Sequence, residues 1–173
     1  MTPEKIVVAL ALGSNIGDKR QNLQQAVEAL EERKILSQIR EAPVYESDPM
    51  YLIDQPAFMN SVVVGHTALS PLDMLSALKR LETDIGRRVS VRNGPRLIDL
   101  DIILHGNSLT SDDILEIPHP RMHERPFVLQ PLADILPNWQ HPVTGVSIHD
   151  MWALLASQSS AYGALRKVAD SIR

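Results

Sequence analysis

The chain has 173 residues, 44% of them apolar and 22% charged, enough to bury the core of one ordinary domain, and it reads as a single domain over 1–173. A formal net charge of -4 argues against coating nucleic acid or an anionic membrane by bulk electrostatics, so any phosphate binding must be local. The absence of cysteine removes disulfides, thiolate metal sites and a cysteine nucleophile together, and it fits a cytoplasmic location.

Residues 6–12 are apolar and run into Gly13-Ser14-Asn15. The run is too short for a signal peptide or a membrane span and reads as a buried strand. Asp18 then caps a helix in which Leu23, Val27 and Leu30 share one face, ending near Arg33. A second strand is expected over 35–46, interrupted by Pro43, and a third over 58–66, where polar and apolar residues alternate. Residues 47–56 between them, rich in proline and aspartate, read as a functional or mobile loop rather than an element. The second helix has Ser70 as cap, Pro71 at its first position and Asp73 as box partner, with Leu72, Leu75, Leu78, Leu81 and Ile85 as the expected stripe and Gly86 as the stop. A loop over 87–95 leads to a strand over 97–104, which reads as central and ends at the turn His105-Gly106-Asn107.

The order strand, helix, strand, strand, helix, strand fits an α+β domain of two split strand-helix-strand units. Its helices would pack on one face of an antiparallel sheet, the ferredoxin-like plan. Beyond Leu109 the many prolines suggest irregular structure wrapped around the core, with a last helix near 147–156 and a tail over 158–173 of unassigned role.

Four constellations carry chemistry. Along the strand at 97–104, Asp99 and Asp101 share one face, roughly 7 Å apart by the strand rise, with Ile98, Leu100, Ile102 and Leu104 on the other. Two such carboxylates either bind magnesium together with substrate phosphates or are simply solvated on an edge strand. Just upstream, Arg87, Arg88, Arg92 and Arg96 fall within ten residues that contain no acid. Their guanidinium forks suit phosphate oxygens, although arginine-rich loops also bind RNA or solvate a surface. Acidic metal ligands beside an arginine clamp are what phosphoryl transfer requires. On the third strand Phe58 and Asn60 lie on one face with Val62 and Val64. They form either a stacking ring with an edge-reading amide or a core phenylalanine with a satisfied asparagine. Last, the proline-fixed loop from Pro118-His119-Pro120 to Arg125-Pro126-Phe127 offers histidine and arginine donors to phosphate and no zinc-ligand spacing. Gly13-Ser14-Asn15-Ile16-Gly17-Asp18 reads as a tight turn, lacking the lysine of a Walker loop.

Four segments occur in one order: Leu12-Gly13-Ser14-Asn15; Asp54-Gln55-Pro56-Ala57-Phe58-Met59-Asn60; Gly94-Pro95-Arg96-Leu97-Ile98-Asp99-Leu100-Asp101; and Pro118-His119-Pro120 through Arg125-Pro126-Phe127. The chain resembles, over about 6–132, the 6-hydroxymethyl-7,8-dihydropterin pyrophosphokinase family. The resemblance implies a ferredoxin-like fold, transfer of pyrophosphate from ATP to the pterin in folate biosynthesis, and two magnesium ions on Asp99 and Asp101. It further implies that Phe58 and Phe127 sandwich the pterin while Asn60 reads its edge and Ser47 and Met50 contribute backbone groups. Arg87 and Arg96, with Asp99 and Asp101, would be catalytic; Arg87 and Arg96 would also bind ATP, with Arg125 and His119 on its phosphates and Glu82 near the nucleotide. Adenine would lie against the backbone around Ile102 and residues 114–117. No nucleic acid, membrane or obligate protein partner is implied. Asn93 stands where many relatives carry tryptophan, and the arginine loop is one residue shorter than in some, so the roles of Arg88 and Arg92 stay open. The rivals are a ferredoxin-like nucleic-acid-binding module with Phe58 stacked on a base, against which the aspartate pair weighs, and a nucleotidyl transferase acting on another small alcohol.

Overall fold

A computed structural model describes residues 4–49, 54–86, 94–158 and 165–173. The chain order is β1 (Ile6–Ser14), α1 (Lys19–Glu32), β2 (Ser37–Glu41), β3 (Val44–Ser47), β4 (Phe58–Thr67), α2 (Pro71–Ile85) and β5 (Asp99–His105), followed by the short hairpin β6 (Thr110–Ser111) and β7 (Glu116–Ile117). After a 3-10 turn at Met122–Glu124 come α3 (Pro126–Ile135), α4 (Ile148–Ser157) and β8 (Leu165–Ala169). The main sheet runs β5-β1-β4-β3-β8, with β2 also pairing β4. All of its pairings are antiparallel. The order β5, β1, β4, then β2 and β3, is the expected ferredoxin-like arrangement.

Local chemistry explains the elements. The Asp18 carboxylate accepts from the Gln21 amide and starts α1, and the Ser70 hydroxyl accepts from the Asp73 amide ahead of Pro71 to start α2. Gly86 closes α2 at φ 118°, a left-handed conformation that favours glycine. Pro43 divides the expected second strand into β2 and β3 because it has no amide to give the ladder. The Ser61 hydroxyl covers the break, 3.1 Å from the carbonyls of both Ala42 and Pro43.

The residues expected on one stripe of α2 need a correction. Met74, Leu78 and Leu81 are buried, whereas Leu72 is 52% exposed, because it lies on the side of the helix opposite Met74.

Three larger corrections follow. The helices do not all cover one face: Val8, Leu10, Leu12, Ile98 and Leu100 pack beneath α1 and α2, while Ala9, Val62, Val64 and Ile103 pack with Val128, Leu129 and Leu132 of α3 and Met151 and Leu155 of α4. The stretch expected to be irregular forms α3 because Pro126 stands at a helix start, where its missing N–H costs nothing, and Pro131 forfeits only one intrahelical bond. The strand expected to be central, β5, is the edge of the sheet. It resembles a central strand in sequence because the chain at His119 covers its outer side, the His119 amide donating to the Ile103 carbonyl at 3.0 Å.

Candidate active site

Near one end of the sheet, on the α3 face, a row of residues crosses three strands. Gly13 of β1 pairs Asp99 of β5 on one side and Asn60 of β4 on the other, and Ala11 pairs Asp101 and Val62 in the same way. Paired residues share a face, so the carboxylates and the amide look into one space with only small β1 residues between them. A β-carbon on Gly13 would lie 3.0 Å from Asn60 Oδ1 and 3.8 Å from the Phe58 ring. The result is a cleft lined among others by Ser47, Phe58, Asn60, Arg96, Asp99, Asp101, Arg125 and Phe127. Aromatic walls with a few convergent polar and charged groups are the usual make-up of a small-molecule site.

Both rings and both carboxylates of the expected constellations therefore border one cavity, together with Ser47, Asn60, Arg96 and Arg125. Met50, Arg87, Arg88 and Arg92, with Asn93, lie outside the described residues. Glu82, Ile102 and His119 do not line the cleft. Glu82 is 2% exposed on α2 with the Lys79 ammonium 3.6 Å away, and Ile102 is buried in the core beneath α1 and α2. His119 borders a second, shallower cleft formed by β6, β7 and the turn at 141–144.

The electrostatics of the main cleft are strained in a way that invites cations. Burial, reinforced by the charge of Asp99, pushes the Asp101 carboxyl well above the usual carboxylate range, to about 7, while Arg125 and Lys79 oppose the shift. Asp99 holds Arg96 at 3.0 Å, and the Arg96 Nε also donates to the Gly94 carbonyl at 3.2 Å. Arg125 lies 5.8 Å from the Phe127 ring centroid, within cation–π range. His119 is pushed down to about 4, chiefly by burial and then by the Arg125 charge. Its Nδ1 accepts from the Arg121 amide at 3.1 Å, so the neutral ring carries its proton on Nε2.

The sequence reading assigned no role to three residues here. Asn15, 1% exposed, exchanges two hydrogen bonds with the Arg96 backbone, accepting the Arg96 amide on Oδ1 at 2.8 Å and donating its own amide to the Arg96 carbonyl at 3.1 Å. Its Nδ2 donates to Gln55 Oε1 at 2.8 Å and the Pro56 carbonyl at 3.2 Å. One buried amide thus fixes the approach to Phe58 against the approach to Arg96. Gln55 and Asp48 also line the cleft. Asn15 and Gln55 sat inside quoted motifs, but only the tertiary pairing gives them a task.

The model of the family described as 7,8-dihydro-6-hydroxymethylpterin-pyrophosphokinase (HPPK) matches residues 9–137. The chain belongs to the HPPK family. It is 43% identical over 135 residues to the 2-amino-4-hydroxy-6-hydroxymethyldihydropteridine pyrophosphokinase of Pseudomonas aeruginosa, covering 78% of this chain and 83% of that protein. It is 42% identical to the Bacillus subtilis protein of the same name, covering 75% and 77%. To the mitochondrial folate synthesis bifunctional protein of Pisum sativum it is 47% identical over 129 residues, which span 75% of this chain and 25% of that one. The matched region is thus about a quarter of the length of such bifunctional relatives. The wild-type Plasmodium falciparum HPPK-DHPS crystal structure with pteroate superposes with a TM-score of 0.73 at 17% identity, over 91% of this chain and 46% of that one, a likeness of fold. As in that shared HPPK fold, helices flank an antiparallel sheet, and among the described residues no helix is long and apolar enough to cross a membrane.

Proposed function

We propose that the chain transfers the β,γ-pyrophosphoryl group of ATP to the hydroxymethyl oxygen of 6-hydroxymethyl-7,8-dihydropterin, releasing AMP, and that it acts in folate synthesis in the cytoplasm. The observation that carries this reading is one cleft bordered by Phe58, Phe127, Asn60, Asp99, Asp101, Arg96 and Arg125, within a chain of the HPPK family. Phe58 and Phe127 supply flat apolar walls for a bicyclic heterocycle, and Asn60 offers one amide to its hydrogen-bonding edge. The Asn60 Nδ2 is already committed to Ser47 Oγ at 2.7 Å, which fixes the amide orientation and leaves Oδ1 to accept from the ring. Ser47 lines the same cleft, and the family resemblance assigns backbone groups of Ser47 and Met50 to the pterin.

Asp99 and Asp101 fit magnesium by the chemistry of the donor set. They are hard oxygen ligands, and the Asp101 carboxyl is pushed up by burial and then by the Asp99 charge, both of which a nearby cation offsets. Among the described residues no group of three or more acidic or histidine ligands surrounds a metal position, so two carboxylates would share such ions with phosphate oxygens and water. Bound there, magnesium supplies charge neutralisation of the polyphosphate. Arg96, with Arg87 and Arg125, takes up charge on the transferred and leaving groups; the family resemblance assigns Glu82 and the backbone near Ile102 to the nucleoside, although neither residue lines the cleft. His119, neutral, offers a single Nε2–H to a phosphate oxygen. In the step itself the hydroxymethyl oxygen forms a bond to the β-phosphorus, the bond from that phosphorus to the α,β-bridging oxygen breaks, and the hydroxyl proton passes to solvent.

Chromatography of a single-turnover mixture tests the reading: AMP and the pterin diphosphate are expected in equal amounts. ADP as the nucleotide product places the attack on the γ-phosphorus and overturns it.

A further inference from the structure

Residues 158–173 matched no motif, and they lie beyond the family match at 9–137. Of these, 165–173 are nevertheless built into the fold. Ile172 is fully buried, and its carbonyl accepts from Arg20 Nε at 3.3 Å and Gln24 Nε2 at 3.1 Å. Arg20 Nη2 also donates to the Ser171 carbonyl at 3.0 Å, and Arg173 pairs with Glu31 and Glu41 at 2.8 Å each. These ties deliver β8 to the outer edge of β3, with Leu165 opposite Ser47, Arg166 opposite Glu46 and Lys167 opposite Tyr45.

β3 has four residues, and its inner side is held by three pairs to β4, from Tyr45↔Asn60 to Ser47↔Phe58. Proline breaks its continuity with β2. Its last residue, Ser47, is 7% exposed, lines the cleft and accepts from Asn60, and the chain then passes into Asp48, which also lines the cleft. A strand this short, paired on one side alone, leaves a row of backbone groups to water and frays from its end. Pairing on both sides fixes the direction in which it leaves the sheet.

We propose that β8 is a positioning element for the pterin wall: by pairing with β3 it holds Ser47, and through Ser47 the Asn60 amide, in the orientation that reads the pterin edge. This rests on the pterin assignment of the cleft. The polyphosphate side, carried by β5 and the turn at Arg96, lies at the other edge of the sheet and does not depend on β8.

The test is calorimetric and uses the full chain with two probes, 6-hydroxymethylpterin and a non-hydrolysable ATP analogue with magnesium. Lys167→Pro sets a proline inside β8, opposite Tyr45, where its fixed φ disfavours the paired strand, and leaves the anchors at 171–173 in place. It is expected to weaken pterin binding about tenfold while the ATP analogue stays within about twofold. Arg166→Glu sets like charges opposite each other across β3 and β8 and is expected to weaken pterin binding to a smaller degree, with Glu46→Arg in the same chain restoring it. If Lys167→Pro does not fold, the second pair of variants decides. Failure of the unaltered chain to bind the pterin overturns the site assignment. Unchanged pterin affinity in the folded variants, or equal loss for both probes, overturns the role of β8 alone.

Discussion

The two faces of β1 differ in size far more than in polarity. Val8, Leu10 and Leu12 fill the space beneath α1 and α2, whereas Ala9, Ala11 and Gly13 on the other side leave space to be filled by something else. Near Ala9 that filling is the apolar surface of α3 and α4; near Ala11 and Gly13 it is the open cleft. One face settles its own packing, and the other leaves the end of the sheet unfilled and surrounds it with charge. Stability and chemistry are thereby separated across the thickness of one sheet.

The largest effect that sharpens this contrast is at the carboxylates. Asp99→Ala and Asp101→Ala are each expected to lower turnover by about a thousandfold. For Asp101→Ala the metal-free melting temperature at neutral pH should hold or rise, because the variant removes a carboxyl whose ionisation burial opposes. Scanning calorimetry and steady-state rates on the same preparation check both halves, and a folded variant with substantial activity breaks the metal assignment.

On the packing face the reverse is expected. Leu78→Ala, at a fully buried position beneath the sheet, should cost about 3 kcal/mol of stability. Affinity for pterin and nucleotide should not change, as denaturant titration and calorimetry would show. A loss of pterin affinity equal to that seen on the cleft face would mean the two faces are coupled.

The smallest effect is a pH dependence. Between pH of about 4 and 6.5 the folded chain holds His119 neutral while the unfolded chain protonates it, so this group contributes stability that is present above 6.5 and lost as pH falls through that window. Proton–nitrogen correlation spectra should show the ring neutral at pH 6, and His119→Gln should flatten the acid limb of the stability profile. A ring that titrates near 6.5 in the folded protein contradicts the burial argument.

Much of this was legible from residue order. The caps at Asp18 and Ser70 and the stop at Gly86 are local chemistry and stand where the sequence placed them. Period-two alternation put Phe58 with Asn60 on one side of their strand and Asp99 with Asp101 on one side of theirs, and the sheet register turns both to the same face, around one cleft. What was not legible depends on distant partners. α3 brings Phe127 and Val128 to the cleft, yet its prolines read as breakers until Pro126 is seen at a helix start. β8 has little apolar signal of its own, with Arg166, Lys167 and Val168 exposed, because it is an edge strand held by its anchors more than by burial. Asn15 looked like a turn residue, since its partners Gln55 and Arg96 are far away in sequence.

Gly13 allows shape to be separated from charge in this cleft. Every other way of disabling the site removes an ion, a ring or an amide and so changes both the form and the field of the cavity. A single methyl at Gly13 adds no polarity, yet it would press within 3.0 Å of Asn60 Oδ1 on the floor between the pterin side and the carboxylates. The depth of the cavity is therefore set by an absence of side chain, and an inhibitor reaching into that depth would meet resistance from alanine at this one position while the charged groups around it stayed unaltered.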